Sequence, residues 1–414
     1  MNKNEIFLTK VLIAEIKKQE FIIQGSIEDI DWEQVYTIAV SHQVHTLVYP
    51  LFSRLDKNLL PNNKLLLKWR DTTIISGLSL LANYKRTGLV LSNLHNAGIP
   101  VIALKGLVLN YLYPRPELRI MCDADILINE SDFTYAIKII TDMGYTAEKY
   151  KGTKHIVFYH SSFMAIELHK KLIDTDIIKN KEQFNKKVWN NLREINIHGA
   201  SAFAMAWEQQ VLHVCLHMAV HMKNEGISLR QLCDLVLIVV FKKSEIDWEF
   251  VNIKFKEHGI DKFAQVLFQV CNLLFEMEIP FELTNKLENN DAYIEKFIAD
   301  IFQSEYLSRN DMDRQVTNIL LKNSNINNRN LYKNKLFKIL SLLFPSYKKL
   351  SSRYKYMYVK KYAILMPFAW VHRILYGILR KDFTWKYKIT IFNNDNLLRK
   401  AEERDDLLNW FELR

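Results

Sequence analysis

The chain has 414 residues, 49% of them hydrophobic, with only 11 Gly and 8 Pro; so much apolar material excludes intrinsic disorder, and so few Gly and Pro exclude collagenous, linker-rich or turn-dense all-β architectures. At about 150 residues per domain the length suggests two or three domains. The formal charge of +10 is uneven: residues 331–390 hold fourteen Lys/Arg against one acid, Asp382, residues 391–414 net −2 and the first 330 residues −1, so the basic excess belongs to one C-terminal stretch.

Cys122, Cys215, Cys233 and Cys271 are too few and scattered for a disulfide framework and form no CxxC pair, which fits a reducing cytoplasm. The opening MNKNEIFLTKVLIAEIKKQE lacks the uninterrupted apolar run and cleavage site of a signal peptide. No uncharged apolar stretch of about 18 residues occurs, the nearest being AILMPFAWVHRILYGIL with His372 and Arg373. A soluble, cytoplasmic protein is expected.

In chain order, residues 1–95 read as helices. Asp31 is the expected N-cap of DWEQVYTIAVSHQVHTLVYPLFSRL, and ISGLSLLANYKRTGLVLSNLHNAG ends at Gly98 with Pro100 beyond. Residues 96–200 change pattern. VIAL (101–104) is a short strand halting at Lys105-Gly106, GLVLNYLY returns to helical spacing, and ADILI (124–128) alternates. SDFTYAIKIITDMG is a helix capped by Ser131 and closed by Gly144, and KHIVFYH and FMAIELH are neighbouring strands joined at Ser161-Ser162. Helical spacing resumes from Trp207 as a bundle over 201–330, the Asn-rich 323–334 stretch is a boundary, and 331–414 is a basic, aromatic helical region.

Three carboxylates of the α/β unit carry the chemical signal. Residues i and i+2 of a strand share a face, so Asp123 and Asp125 point one way while Ala124, Ile126 and Ile128 face the core. Two adjacent acids repel unless a cation lies between them, and a hard divalent ion with oxygen ligands is the usual solution. Glu167, on the same face as Ala165 and His169, joins them from an adjacent strand. Two Mg²⁺ ions about 3.5–4 Å apart in such a cluster bind a nucleotide's phosphates and activate a hydroxyl for in-line transfer. Lys105 and Gly106, where a strand runs into a helix, suit an anion through backbone N–H groups, a close approach at Gly and a point charge. Arg119 either grips a phosphate or pairs with a neighbouring acid.

The ordered set Leu104-Lys105-Gly106, Arg119 then Asp123-Ala124-Asp125-Ile126-Leu127, and Ile166-Glu167-Leu168-His169 resembles the bacterial nucleotidyltransferase-like family of the DNA polymerase β superfamily. The similarity spans about residues 27–380, with chemical motifs in the central seventy. The resemblance implies an α+β fold in which a small mixed sheet with helices, the polymerase-β-type nucleotidyltransferase core, is embedded in a largely helical protein. It further implies Asp123 and Asp125 as Mg²⁺ ligands, with Mn²⁺ able to substitute, and Glu167 as third ligand or general base.

His213, His217 and His221 form one helical stripe. Zinc would lack an HExxH glutamate and would find only one further acid, Asp234, as a partner on the following helix, so the stripe is read as packing on the α/β unit, with His217 or His221, like His169, reaching a substrate pocket. Arg230 and Asp234, at i and i+4, are expected to form an ion pair. The basic C-terminal stretch fits a snorkelling face, an anionic membrane contact, or a surface for nucleic acid or an acidic partner. The expected activity is Mg²⁺-dependent transfer of NMP from an NTP such as ATP to a hydroxyl or phosphate of a small-molecule, sugar or peptide acceptor, with pyrophosphate released. The alternatives are a non-catalytic nucleotide-binding or assembly protein of the same fold, and a nucleic-acid-modifying transferase.

Overall fold

The computed structural model describes residues 1–21, 29–148, 155–224, 226–284, 291–303, 344, 347, 350, 358–379 and 395–413. The chain divides into two units, Met1–Ser308 with Leu408–Arg414, and Arg309–Leu407. The Asn-rich 323–334 stretch and most of the basic 331–390 stretch lie outside the described residues.

Capping residues set the N-terminal helices of the first unit. Helix α1 (Lys3–Lys17) starts in a capping box between Asn2 and Glu5, and α2 (Trp32–Ser41) starts at Asp31, whose carboxylate accepts from Gln34 N. The single helix expected over 31–55 is broken: Gln43 takes φ 58, and the chain resumes as α3 (His45–Val48) and a 3-10 turn containing Pro50. Helix α4 (Asn63–Asn96) begins well before the expected start, because Asn62 caps it through Leu65 N, and closes toward Gly98 at φ 75 as expected.

A seven-stranded mixed sheet follows, built from β1 (Ile102–Ala103), β2 (Asp123–Leu127), β3 (Thr146–Ala147), β4 (His155–Tyr159), β5 (Ala165–His169), β6 (Arg193–Ile197) and β7 (Ala200–Ala204). Between them lie α5 (Gly106–Leu109), α6 (Phe133–Asp142) and α7 (Lys181–Lys187). The order is β3-β4-β5-β2-β1-β7-β6, with β2 central, antiparallel to β1 and parallel to β5. Strands β4 and β5 pair antiparallel, as the two neighbouring strands read from the sequence. Ser131 does not cap α6; it lies inside a 3-10 turn, Glu130–Asp132, that precedes it. The β6–β7 hairpin has no counterpart in the sequence reading. It completes the sheet by laying β7 parallel to β1, and its turn packs on α4 at Gly88, where a Cβ would sit 3.0 Å from that of His198.

Alternation divides the sheet into an apolar and a chemical face. Ala124, Ile126 and Ile128, with Ile166 and Leu168, pack against Leu80, Tyr84, Leu91 and Leu94 of α4 and Ala136 and Ile140 of α6. The opposite face carries Asp123, Asp125, Glu167 and His169.

Helices α8 (Trp207–Asn224), α9 (Leu229–Lys242), α10 (Trp248–His258), α11 (Asp261–Phe275) and α12 (Asp291–Gln303) follow the sheet in this unit. Helix α9 opens in a Ser228/Gln231 capping box, and α10 ends at Gly259 with φ 69. In the second unit, α13 (Tyr358–Lys361) and α14 (Met366–Leu379) bury Val359 and Ala369 together with Leu350, and α15 (Asp395–Trp410) leads back to the first unit. There Phe411 packs edge-on against Phe263. No helix among the described residues is long and apolar enough to cross a membrane. The architecture is α+β, a mixed sheet within a largely helical chain, as expected.

Candidate active site

Register brings the acids together. In the parallel β2–β5 pair Asp123 lies opposite Ala165 and Asp125 opposite Glu167, so three carboxylates and His169 share one face of adjacent central strands. They line a cavity of about 600 Å³ whose facing wall comes from α8 and the start of α9.

Asp125 is buried, and its Oδ1 accepts from Lys105 Nζ at 2.8 Å and from His169 Nε2 at 2.9 Å. Burial alone would raise this carboxyl, but the Lys105 charge and the His169 hydrogen bond hold it well below the usual carboxylate range. Burial, then the charge of Asp125, push Asp123 up to about 6, with Lys105 pulling the other way. Burial would lower the Lys105 ammonium, yet Asp125 and Asp123 raise it above its ordinary value. The two acids divide their roles as a result. Asp125 is a fixed anion with a counter-ion, and Asp123 is the more basic carboxylate at the cavity's edge.

Asp125, Glu167 and His169 each offer a ligand atom, all within 4.8 Å of one another. His169 Nε2 stands 3.4 Å from Glu167 Oε2. Adjacent ligands about 2.1 Å from one octahedral cation lie about 3 Å apart, so these spacings fit a shared divalent ion. The resemblance implies Asp123 and Asp125 as ligands with Glu167 as third ligand or base; among the described residues, Asp125 and Glu167 cluster with the imidazole of His169.

Lys105 and Gly106 do stand where β1 runs into α5. Lys105 takes φ 45, ψ −117, a strained conformation that aims its side chain at Asp125. Gly106 was expected to admit a phosphate, but the space its side chain would fill is taken by protein: a Cβ there would lie 2.5 Å from Met121 Sδ and 2.6 Å from Arg119 Nη1. The glycine is required by packing beneath the turn.

Arg119 is 1% exposed and grips Asp234 of α9 with two parallel hydrogen bonds, Nε to Oδ1 at 2.8 Å and Nη2 to Oδ2 at 2.6 Å, while Tyr113 Oη donates to Asp234 Oδ1 at 2.7 Å. Of its two readings, the ion pair is the one present. The expected Arg230–Asp234 pair is replaced by it: Asp234 turns to Arg119, and Arg230 Nη1 donates to Ile120 O at 3.3 Å. Nothing in local spacing signals this, because positions 119 and 234 meet only through the fold. The segment before β2 is thus held from three sides, by Arg230, by Asp234, and by Tyr84 Oη donating to Met121 Sδ at 3.1 Å.

His213, His217 and His221 all face the cavity, the last two with their Nε2 atoms 3.1 Å apart. The cavity therefore gathers every candidate site residue named from the sequence, and its lining also includes His155, Gln43 and Arg230.

A mixed sheet presenting two acids on one strand and a third on its parallel neighbour, over a cavity of nucleotide size, defines a group-transfer enzyme of the nucleotidyltransferase class. Residues 28–276, more than half of the chain, match the family described as "Uncharacterised nucleotidyltransferase", and the chain belongs to that family. It is a nucleotidyltransferase, and an NTP is its substrate. No curated protein matches in sequence. Among solved structures, the antibiotic-resistance factor ANT(2'')-Ia aligns at 10% identity and TM-score 0.33, covering 46% of this chain and 97% of that one. An antigenic nucleotidyltransferase-like protein from Paracoccidioides brasiliensis aligns at 10% identity and TM-score 0.28, covering 38% and 76%.

Proposed function

We propose that the protein transfers an NMP from an NTP to a hydroxyl or phosphate of a small-molecule, sugar or peptide acceptor, releasing pyrophosphate, in a reaction that uses Mg²⁺, two ions with Mn²⁺ able to substitute. The observation that carries this reading is the register match of Asp125 and Glu167 on adjacent parallel strands, with Asp123 two residues before and His169 two residues after on the same face. Asp123, Asp125 and Glu167 would hold the cations, and His169 would complete the donor set once its Nε2 gives up the hydrogen bond to Asp125. When bound, the ions supply positive charge at the transferring phosphoryl group and make the acceptor hydroxyl more acidic.

The remaining work falls to the chain. Lys105, the counter-ion of Asp125 in this structure, is the cation that turns to the triphosphate, with Gly106 behind it. Asp234 and Tyr113 immobilise Arg119, which fixes the turn at Gly106 and the approach to β2, so Arg119 acts through position. Glu167, its side chain 22% exposed, faces the cavity, where a ligand can reach it.

Titration calorimetry with ATP, GTP, CTP and UTP, with and without Mg²⁺, tests the reading. Nucleotide binding abolished by EDTA supports it, and wild-type protein that binds none of the four contradicts it. Asp125→Asn is expected to abolish transfer while circular dichroism stays native.

A further inference from the structure

The sheet wall of the cavity is acidic; the helical wall is not. Helix α9 places Arg230 in its first turn, where the helix dipole adds positive potential. Among the described residues no carboxylate lies within ion-pair distance of Arg230: its Nη1 reaches only a backbone carbonyl, Ile120 O, and its Nε is buried without an acceptor. The one acid on the same helix that lines the cavity, Asp234, is neutralised by Arg119. Asp174, on the loop after β5, also lines the cavity, and its field is shared with Lys181. His217 and His221 of α8 line the same cavity, with their Nε2 atoms 3.1 Å apart.

From this asymmetry we infer that Arg230, with His217 and His221 of the same helical wall, forms a phosphate subsite distinct from the Lys105 side of the cavity. The inference rests on the nucleotidyl-transfer reading for its chemistry, because a tetra-anionic triphosphate over three carboxylates, two divalent cations and Lys105 still leaves negative charge uncompensated. A guanidinium and two imidazoles match a tetrahedral phosphate better than a neutral sugar or peptide group. The phosphate comes either from the tail of the NTP or from a phosphorylated acceptor, and binding data separate the two.

Full-length wild type, Arg230→Gln, Arg230→Lys and the double variant His217→Gln/His221→Gln are titrated with Mg-ATP and Mg-AMP, and with inorganic phosphate in the presence of saturating non-hydrolysable Mg-ATP analogue. The expected result is a loss of at least about tenfold in one phosphate-dependent affinity on Arg230→Gln, with substantial recovery in Arg230→Lys and a smaller loss in the double variant. Weakening of ATP with AMP unchanged assigns the subsite to the triphosphate. Weakening of inorganic phosphate with ATP unchanged assigns it to the acceptor. Wild-type affinities for all three ligands in Arg230→Gln overturn the proposal, as does an equal loss for ATP and AMP that Arg230→Lys does not recover, since that marks disturbed packing at Ile120. If the wild type bound phosphate through Arg230 but no nucleotide, the proposed function would fall and the subsite would stand.

Discussion

Lys105 Nζ and Asp125 Oδ1 meet at 2.8 Å, and the lysine makes that contact from a backbone at φ 45, ψ −117. An L residue is held there at a cost of about 1–3 kcal/mol. Lys105→Gly and Lys105→Ala both delete the ion pair, but only glycine relaxes the backbone, so Lys105→Gly should be the more stable of the two by about 1 kcal/mol in urea unfolding. Both should bind Mg-NTP on the order of tenfold more weakly than wild type, whereas Lys105→Arg retains appreciable affinity. Unchanged nucleotide affinity in Lys105→Ala would remove the lysine from the triphosphate site.

Glu167 faces Asp125 across the strand pair with its Oε2 3.4 Å from His169 Nε2, the surroundings of a metal ligand rather than an isolated base. Glu167→Gln should therefore lose most activity and recover part of it when Mg²⁺ is raised or replaced by Mn²⁺. Recovery at high pH that ignores the metal concentration would instead identify Glu167 as the acceptor's base.

The Arg119–Asp234 pair is buried on both sides, at 1% and 8% side-chain exposure. Removing one partner strands a charge in the interior, so Asp234→Leu should destabilise by about 3–5 kcal/mol. The double variant Arg119→Met/Asp234→Leu should cost less than Asp234→Leu alone, measured by urea unfolding. A double variant as costly as the sum of the singles would show that the two side chains are not coupled.

His45 provides a pH signature away from the site. Burial, against a weaker opposing contact with the Ala39 backbone, pushes its imidazole from 6.5 down to about 4. Between those values the unfolded chain binds a proton that the folded chain refuses, so the stability difference is full above pH 6.5 and shrinks as pH falls toward 4. Wild type should lose on the order of 2–3 kcal/mol more stability than His45→Gln between pH 7.5 and pH 4.5. Parallel losses in the two proteins would exclude His45 as a source.

Local alternation made the chemical face legible: the i, i+2 rule placed Asp123 with Asp125 and Glu167 with His169 before any pairing was known, and β2–β5 adjacency supplied the rest. What stayed hidden depended on distance along the chain. The Arg119–Asp234 pair joins residues whose sequence neighbourhoods say nothing of each other, and the i+4 spacing of Arg230 with Asp234 pointed to the wrong partner. Residues 193–204 alternate only weakly, REINI and ASAFA, so the hairpin that completes the sheet lacked a strong period to read. The packing around Gly106 was hidden for a related reason: what lies over a glycine, here Met121 and Arg119, is brought there by the fold.

The guanidinium–carboxylate clasp between the strand approach and α9 also bears on how substrates arrive. Swinging the helical wall away from the sheet would separate that buried pair, so the clasp ties the start of α9 to the approach of β2. A guest in the cavity thus meets Arg230 from the helical wall and Glu167 from the sheet, two opposite charges whose separation is set by that same clasp.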